Sequence, residues 1–222
     1  MPSPLGPLDG RSFAAVVFDM DGTLIDSTSV VVRSWVRWAQ EHDVDPRRLR
    51  GFHGVPAAAI VAELLPRHRH DAAVARITEL ELADTDGIEV LPGAAEALAA
   101  LAPDHSAIAT SCTAPLAAAR IEASGLVAPR VMVTADDVER GKPHPDPFLL
   151  AAQRLGVDPA QCLVVEDAPG GLAAARSAGC ATLAVVTTTA RDELVGAADA
   201  VVTDLSHVAF TRSAVGVLVS PA

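Results

Sequence analysis

Two aspartates separated by one residue, Asp19 and Asp21, follow an apolar run at residues 13–18. Side chains of an extended strand alternate between its two faces, so both carboxylates would project the same way, about 6 to 7 Å apart. Two like charges at that spacing raise each other's cost of ionisation unless a cation or hydrogen bonds compensate. The pair therefore predicts a site for a metal or a phosphate. The structural alternative is a turn in which Gly22 reverses the chain and Thr23 caps the next helix.

The chain has 17 lysine and arginine residues, and Lys142 is the only lysine among them. It lies in a proline-rich stretch at residues 141–148, where a solvent-exposed lysine in a loop would be ordinary. A lysine ammonium is a compact charge, whereas an arginine guanidinium is a planar fork. Wherever a site in this chain needs a compact ammonium, Lys142 must supply it.

Composition limits the classes of partner and location. At 222 residues, of which 50% are hydrophobic, the chain is long enough for one domain with a sizeable insertion. Its formal net charge of -11 opposes binding to nucleic acid and to anionic membrane surfaces, so we expect neither partner. The three cysteines lack metal-ligand spacing, and the first twelve residues lack the pattern of a signal peptide. We therefore expect a soluble, cytoplasmic protein.

Apolar runs of strand length alternate with alanine-rich helical patterns along most of the chain. The predicted strands lie at residues 13–19, 105–111, 130–134, 161–165, 181–187 and 199–202. The helical patterns between them lie at residues 115–124, 146–155 and 169–178. Continuous apolar strands are typical of parallel sheets that are covered on both faces. This alternation predicts an α/β fold with a doubly wound, mostly parallel, Rossmann-like sheet.

One interval interrupts the alternation. Residues 29 to about 85 contain no strand-like run, but they contain helical patterns at residues 30–42, 56–65 and 71–83. We predict an α-helical cap at residues 28–91, inserted after the first strand of a core at residues 13–27 and 92–222. Residues 1–12 are predicted to be an N-terminal tail. Valines that alternate near the C-terminus, at residues 213–222, fit either an added edge strand or a frayed end.

Ligands of an open parallel sheet bind beyond the carboxyl ends of its strands. The polar residues at those ends are Asp19 and Asp21 after the first run, Thr110 and Ser111 after the second, Glu166 and Asp167 after the fourth, and Lys142 in the loop after the third. Two acidic pairs at one edge would repel each other without a cation, and their hard oxygens favour Mg²⁺. We therefore predict a Mg²⁺ site formed by Asp19, Asp21, Glu166 and Asp167.

This set of residues suits phosphoryl transfer, in which catalysis is mostly positioning and charge neutralisation. Asp19 is the candidate nucleophile that would form an aspartyl phosphate. Asp21 is placed to protonate the leaving alcohol and then to take a proton from water. Lys142 would supply positive charge. The predicted hydrogen-bond donors to the phosphate are the hydroxyl of Ser111 or Thr110 and the backbone N–H groups around Asp21 to Thr23, with Gly22 between them.

Four stretches of the chain resemble the four ordered motifs of the haloacid dehalogenase superfamily: Asp19-Met20-Asp21-Gly22-Thr23-Leu24, Thr110-Ser111, Gly141-Lys142-Pro143 and Glu166-Asp167. The resemblance extends from Phe13 to beyond Ala184 and so covers the core. It implies that Asp19 is the nucleophile, that Asp21 is the acid/base, and that Asp167 binds Mg²⁺ with Glu166 as a supporting ligand.

The helical insertion is similar to the cap of that superfamily's first subfamily, which opens and closes over the site and selects the substrate. The stretches at residues 52–56, 91–94, 142–148 and 164–171 look most like those of bacterial and fungal sugar phosphatases. This resemblance implies a small phosphate ester of a sugar or sugar alcohol as substrate, and we expect a monomer whose cap moves. Arg50 is the candidate for a distal phosphate and His53 for sugar hydroxyls, although a histidine in a loop is more often solvated or packed.

Other activities of the superfamily fit less well. A dehalogenase has no leaving oxygen to protonate, so Asp21 argues against it, and a phosphonate hydrolase needs a cap lysine that residues 29–92 do not contain. A mutase similar to β-phosphoglucomutase stays open, because it differs mainly in whether water or a sugar hydroxyl accepts the phosphoryl group. A non-catalytic protein that binds phosphorylated metabolites is the alternative from another class.

Overall fold

The structure is a computed structural model that describes residues 3–49, 55–213 and 216–222. Its strands are β1 (Ser12–Phe13), β2 (Ala15–Phe18), β3 (Ile25–Asp26), β4 (Glu89–Val90), β5 (Ser106–Ala109), β6 (Val131–Val133), β7 (Cys162–Glu166), β8 (Ala181–Val185), β9 (Ala200–Val202), β10 (Val208–Ser213) and β11 (Gly216–Pro221). Its α-helices are α1 (Thr28–Glu41), α2 (Ala57–Leu64), α3 (His70–Ala83), α4 (Ala94–Ala100), α5 (Ala114–Ser124), α6 (Asp146–Leu155), α7 (Pro169–Ser177) and α8 (Arg191–Leu194). Among the described residues, no helix combines the length and the apolar character needed to cross a bilayer.

A parallel sheet of six strands, in the order β6-β5-β2-β7-β8-β9, forms the centre of the molecule. All six strands coincide with predicted ones, and the predicted α/β fold is confirmed. From β2 the chain first builds outward through β5 and β6, and it then builds in the other direction through β7, β8 and β9. The strand order therefore reverses at β2, which is where an open parallel sheet binds its ligands.

Both faces of this sheet are covered, as the continuous apolar runs predict. Alternate residues of β2 enter different cores, since Val16 and Phe18 belong to one buried cluster and Ala15 and Val17 to another. The second cluster also contains alanines of α6 and α7, whose small side chains let these helices pack close to the sheet. The strands that carry the site are thus held rigidly from both sides.

Helices α1, α2 and α3 share an apolar core of their own, which includes the fully buried Trp38, Val61 and Ile77. The chain enters and leaves this helical segment through β3 and β4, which pair with each other in an antiparallel ladder. These helices coincide with the three predicted helical patterns. The boundaries of the cap, residues 28–91, and of the core remain predictions.

The chain termini form a second, antiparallel sheet in the order β1-β11-β10. Two of the alternating valines near the C-terminus, Val217 and Val219, therefore lie in a paired strand, and both are fully buried. The prediction of an N-terminal tail at residues 1–12 is wrong for the described residues 3–12. Leu5 and Leu8 are fully buried in the larger core cluster, and the burial of these two leucines fixes the segment against the core.

Candidate active site

Polar side chains from four neighbouring strand ends meet beside a cavity of about 530 Å³ that lies between the sheet and the cap helices. Asp19 comes directly after β2, and its backbone N–H donates to the carbonyl of Val165 in β7 at 2.9 Å. Glu166 is the last residue of β7, and Asp167 follows it. The structure therefore brings together Asp19, Asp21, Gly22, Thr110, Ser111, Lys142, Glu166 and Asp167, all of which line this cavity.

Lys142 is buried between two carboxylates. Its Nζ donates to Asp19 Oδ1 in a short hydrogen bond and to Glu166 Oε1 at 2.6 Å. Burial acts to lower the pKa of Lys142, but the attraction of Asp19 and Glu166 outweighs it and raises the pKa above its ordinary value. Burial also raises the pKa of Asp19 to about 7, against the opposing attraction of Lys142. The ammonium is thus a permanent positive charge at the nucleophile candidate.

Three buried carboxylates, those of Asp19, Glu166 and Asp167, place oxygens within 4.8 Å of one another. Burial, followed by the repulsion of Glu166 and Asp19, raises the pKa of Asp167 well above its ordinary range. One ammonium does not balance three carboxylates, and this donor set of hard oxygens fits a divalent cation such as Mg²⁺. The cluster is therefore a candidate metal site.

Existing hydrogen bonds differ among these carboxylates. Both oxygens of Glu166 are engaged, since Oε1 binds Lys142 and Oε2 accepts from the backbone N–H groups of Asp167 and Ala168, each at 2.9 Å. The Asp19 Oδ2 atom has no hydrogen-bond partner within the described part of the chain. Both oxygens of Asp167 also accept hydrogen bonds, from the hydroxyls of Thr23 and Thr188, so Asp19 is the carboxylate with an oxygen left to face a metal.

Glycines allow the main chain to approach the acidic cluster closely. A Cβ atom added at Gly171 in α7 would overlap the carboxylate of Glu166, and one added at Gly22 would overlap that of Asp167. Gly22 also has a φ of +85°, which side chains rarely adopt. The sequence did not single out Gly171, whose only signal is the Gly-Gly pair at residues 170–171, nor Thr188, whose hydroxyl donates to Asp167 Oδ2.

The Asp21 side chain does not join the acidic cluster of Asp19, Glu166 and Asp167, and its part in a metal site stays a prediction. The chain turns after Met20, so the extended geometry that would keep Asp19 and Asp21 parallel ends there. Asp21 Oδ1 accepts from Ser27 Oγ at 2.6 Å and pairs with Arg120 at 2.8 Å. The Asp21 carboxylate still lines the cavity, with 25% of its side chain exposed.

The predicted phosphate donors separate into two groups. Ser111 lines the cavity, and its hydroxyl makes no hydrogen bond within the described residues. Thr110 is buried, and its Oγ1 accepts from the backbone N–H of Cys112 at 3.1 Å. The N–H groups of Gly22 and Thr23 donate inside their own turn, and the Thr23 hydroxyl donates to Asp167 at 3.4 Å. The prediction that Gly22 and Thr23 bind phosphate therefore lacks free donors, and Thr23 instead contacts a metal-ligand candidate.

The cap side of the cavity is largely apolar over the described residues. Its lining includes Val31, Trp35, Val36, Leu49, Ile60 and Val74, with Thr28, Thr78 and Glu81 as polar members. Trp38 is fully buried in the cap core and its Nε1 donates to the carbonyl of Ala73 at 2.8 Å, so one tryptophan packs in the cap and the other faces the seam. Arg50 and His53 lie outside the described residues, and their predicted contacts remain predictions.

Comparisons with known proteins agree with this geometry. A family model for haloacid dehalogenase-like hydrolases matches residues 13–179. Hexitol phosphatase A of Escherichia coli strain K12 is 43% identical over 176 residues, which cover 76% of this chain and 81% of that protein. A crystal structure of a hydrolase from Pseudomonas syringae matches with a TM-score of 0.78 and 27% identity, over 87% of this chain and 94% of the other. A putative β-phosphoglucomutase from Thermotoga maritima matches with a TM-score of 0.65 and 27% identity, over 87% of this chain and 95% of the other.

Proposed function

Because this chain belongs to the haloacid dehalogenase-like hydrolase family, we propose that it is a Mg²⁺-dependent phosphatase of sugar or sugar-alcohol phosphates. One observation carries the proposal. Asp19, at the point where the strand order reverses, is held by the only lysine of the chain and opens into a cavity large enough for a small phosphate ester. The relative named for hexitol phosphate hydrolysis supports the substrate class.

Enzymes of this family typically use Mg²⁺, and Asp19 and Asp167 are the residues that we expect to hold it, with Glu166 in support. When bound, the metal supplies positive charge that offsets the repulsion between these carboxylates and the phosphoryl oxygens. Besides supporting the metal, Glu166 accepts hydrogen bonds from Lys142 and from the backbone at the start of α7. Its role is thus mainly to orient the lysine.

The proposed reaction has two steps. In the first, a carboxylate oxygen of Asp19 attacks phosphorus, the bond between phosphorus and the alcohol oxygen breaks, and Asp21 gives that oxygen a proton. In the second, Asp21 takes a proton from water, the water oxygen attacks phosphorus, and inorganic phosphate leaves Asp19. Lys142 stays protonated throughout and holds positive charge beside the phosphoryl group, while the Ser111 hydroxyl donates to a phosphoryl oxygen.

Similarity to a putative β-phosphoglucomutase supports a second candidate function, a mutase in which a sugar hydroxyl replaces water as the acceptor of the phosphoryl group. That reaction would isomerise a sugar phosphate without releasing inorganic phosphate. We place hydrolysis first, because the relative with 43% identity is named as a phosphatase. The part of the cap that would contact a distal phosphate, Arg50, lies outside the described residues.

A panel of phosphate monoesters tests the proposal. Release of inorganic phosphate is measured with Mg²⁺ for hexitol, hexose and glycerol phosphates, for β-glucose 1-phosphate with and without its bisphosphate, and for p-nitrophenyl phosphate. We expect turnover that chelation and Asp19→Asn both abolish, whereas Asp104→Asn, an exposed aspartate, leaves it unchanged. Isomerisation without phosphate release would favour the mutase, and no turnover of any ester would favour a binding protein.

The remaining expectations are also proposals. We propose that residues 28–91 form a cap that moves over the site, and that the protein works as a monomer in the cytoplasm. Sedimentation at several protein concentrations tests the monomer, and fractionation of cells that express a tagged chain tests the location. A sedimentation mass that stays at twice the mass of the chain would contradict the monomer.

A further inference from the structure

Arg120 is a buried cation to which the proposed reaction assigns no role. It lies on α5, and its side chain is only 5% exposed, which is rare for arginine. Its Nη1 lies 2.8 Å from Asp21 Oδ1, and its Nη2 lies 3.2 Å from Oε1 of Glu81. Arg120 therefore contacts the proposed acid/base and a second carboxylate at the same time.

These three residues belong to different parts of the fold. Asp21 follows β2 in the core, Arg120 is on the core helix α5, and Glu81 is on α3 of the proposed cap. The Glu81 side chain is 10% exposed and lines the cavity together with the other two. A single guanidinium thus connects the cap to the residue that is proposed to move protons.

The hydrogen bonds of Asp21 show what this connection controls. Oδ1 is held by Ser27 and Arg120, and Oδ2 accepts from the thiol of Cys112 at 3.1 Å. Asp21 must leave Arg120, at least in part, before it can protonate the oxygen of a leaving alcohol. A buried guanidinium that loses its counter-charge is strongly destabilised, so the release of Asp21 needs another carboxylate at Arg120. Glu81 is in that position.

We propose that Arg120 is a positioning residue through which Glu81 of the cap controls the release of Asp21 toward the leaving group. With Glu81 in contact, the guanidinium keeps a partner when Asp21 turns to the substrate. Without the Glu81 charge, Asp21 is the only carboxylate that pairs with Arg120 among the described residues, and Arg120 retains it. This inference rests on the proposed phosphatase function, because it concerns the proton that Asp21 gives to the leaving alcohol.

The choice of leaving group separates this role from a structural one. An alkoxide leaves poorly without a proton, whereas p-nitrophenolate leaves readily without one. The value of kcat/KM reports only the steps through the first bond cleavage, so the later attack by water does not mask the difference. A defect in the release of Asp21 should therefore lower kcat/KM for an alkyl phosphate much more than for p-nitrophenyl phosphate.

The experiment compares kcat/KM for the best alkyl ester of the panel and for p-nitrophenyl phosphate in wild type and variants, all with Mg²⁺. Glu81→Gln keeps the shape of the side chain. We expect it to lower kcat/KM at least tenfold for the alkyl ester and less than threefold for p-nitrophenyl phosphate. Glu79→Gln, on the same helix with its side chain 67% exposed, is the matched control and should change neither. In an Arg120→Gln background, Glu81→Gln should have less than a twofold further effect, because the link is already absent.

Each result decides the inference. Equal losses on both esters, additive effects of the two substitutions, or no difference between the Glu81 and Glu79 variants would overturn it while the phosphatase function stands. Should Arg120→Gln fail to fold, the comparison of Glu81→Gln with Glu79→Gln still decides. A wild-type protein that hydrolyses no ester would instead remove the proposed function, and this inference with it.

Discussion

Removal of the metal should make the stability of this protein depend on pH in an unusual direction. Burial raises the pKa of Asp19 from 3.8 to about 7 in the folded chain without a metal. Between these two pH values the folded chain keeps a proton on Asp19 that the unfolded chain has released. Unfolding then releases a proton, so the free energy of unfolding falls as the pH rises through this window.

The size of the effect follows from the same two values. A difference of about three pKa units, at 1.36 kcal/mol per unit, gives at most about 4 kcal/mol lost between pH 4 and pH 7. Mg²⁺ should oppose this loss, because it binds the ionised carboxylate of the folded chain. At a free concentration a hundredfold above its Kd, the metal would contribute about 3 kcal/mol.

The assay is urea unfolding in EDTA and in excess Mg²⁺ at several pH values from 4.5 to 7.5, for wild type and Asp19→Asn. The variant lacks the titrating carboxylate, so in EDTA it should be more stable than wild type at pH 7.5, and the advantage should shrink toward pH 4.5. The pKa of Asp167 is raised in the same direction, partly by the charge of Asp19, so Asp19→Asn also relieves Asp167 and the comparison reports the two carboxylates together. If the free energies of unfolding of the two proteins in EDTA differ by the same amount at every pH, Asp19 does not cause the pH dependence.

Three further substitutions test the geometry of the site and the cap. Gly171→Ala should lower kcat at least about tenfold, because its Cβ displaces the Glu166 carboxylate that holds the lysine, whereas Gly170→Ala, whose Cβ meets nothing within 4 Å, should not. Lys142→Arg should lower kcat on the order of 10²-fold, since a planar fork cannot replace the compact ammonium between two carboxylates, and normal activity would contradict this. Trp38→Ala should lower the free energy of unfolding in urea by about 3–5 kcal/mol, and a loss below 1 kcal/mol would contradict the described cap core.

Strand positions were predictable from the sequence because the central strands are apolar on both faces, as in the run that ends at Phe18. The N-terminal segment was not, since Leu5 and Leu8 lie among prolines and glycines without any period. They belong to the same core cluster as Val217 and Val219 of β11, the last strand of the chain, and no local pattern near residue 5 encodes that association. A short stretch of sequence carries no information about contacts with residues that lie about 200 positions away in the chain.

Some residues of the candidate site were also predictable from the sequence, and others were not. Lys142 was predictable because it is the only lysine of the chain, and Asp19 because an aspartate pair directly follows a continuous apolar run. Arg120 was not, since a single arginine in an alanine-rich helix resembles a solvated surface residue until its burial is known. The direction of the Asp21 side chain was also missed, because it depends on Arg120 and on a turn that ends the strand geometry.

The apolar wall of the cap leads to an expectation about selectivity. Val31, Val36 and Ile60 can exclude a substrate by shape, but their side chains offer no hydrogen bonds to hydroxyl groups, and few polar groups, such as Thr78 and the indole N–H of Trp35, interrupt this wall. A wall of this kind separates ligands that differ by one methylene or one hydroxyl by only about 10- to 200-fold, whereas hydrogen-bonding sites reach 10⁴-fold and more. The charged floor, in contrast, recognises the phosphoryl group that all candidate substrates share. We therefore expect values of kcat/KM across the polyol and sugar phosphates to form a graded series within about two orders of magnitude.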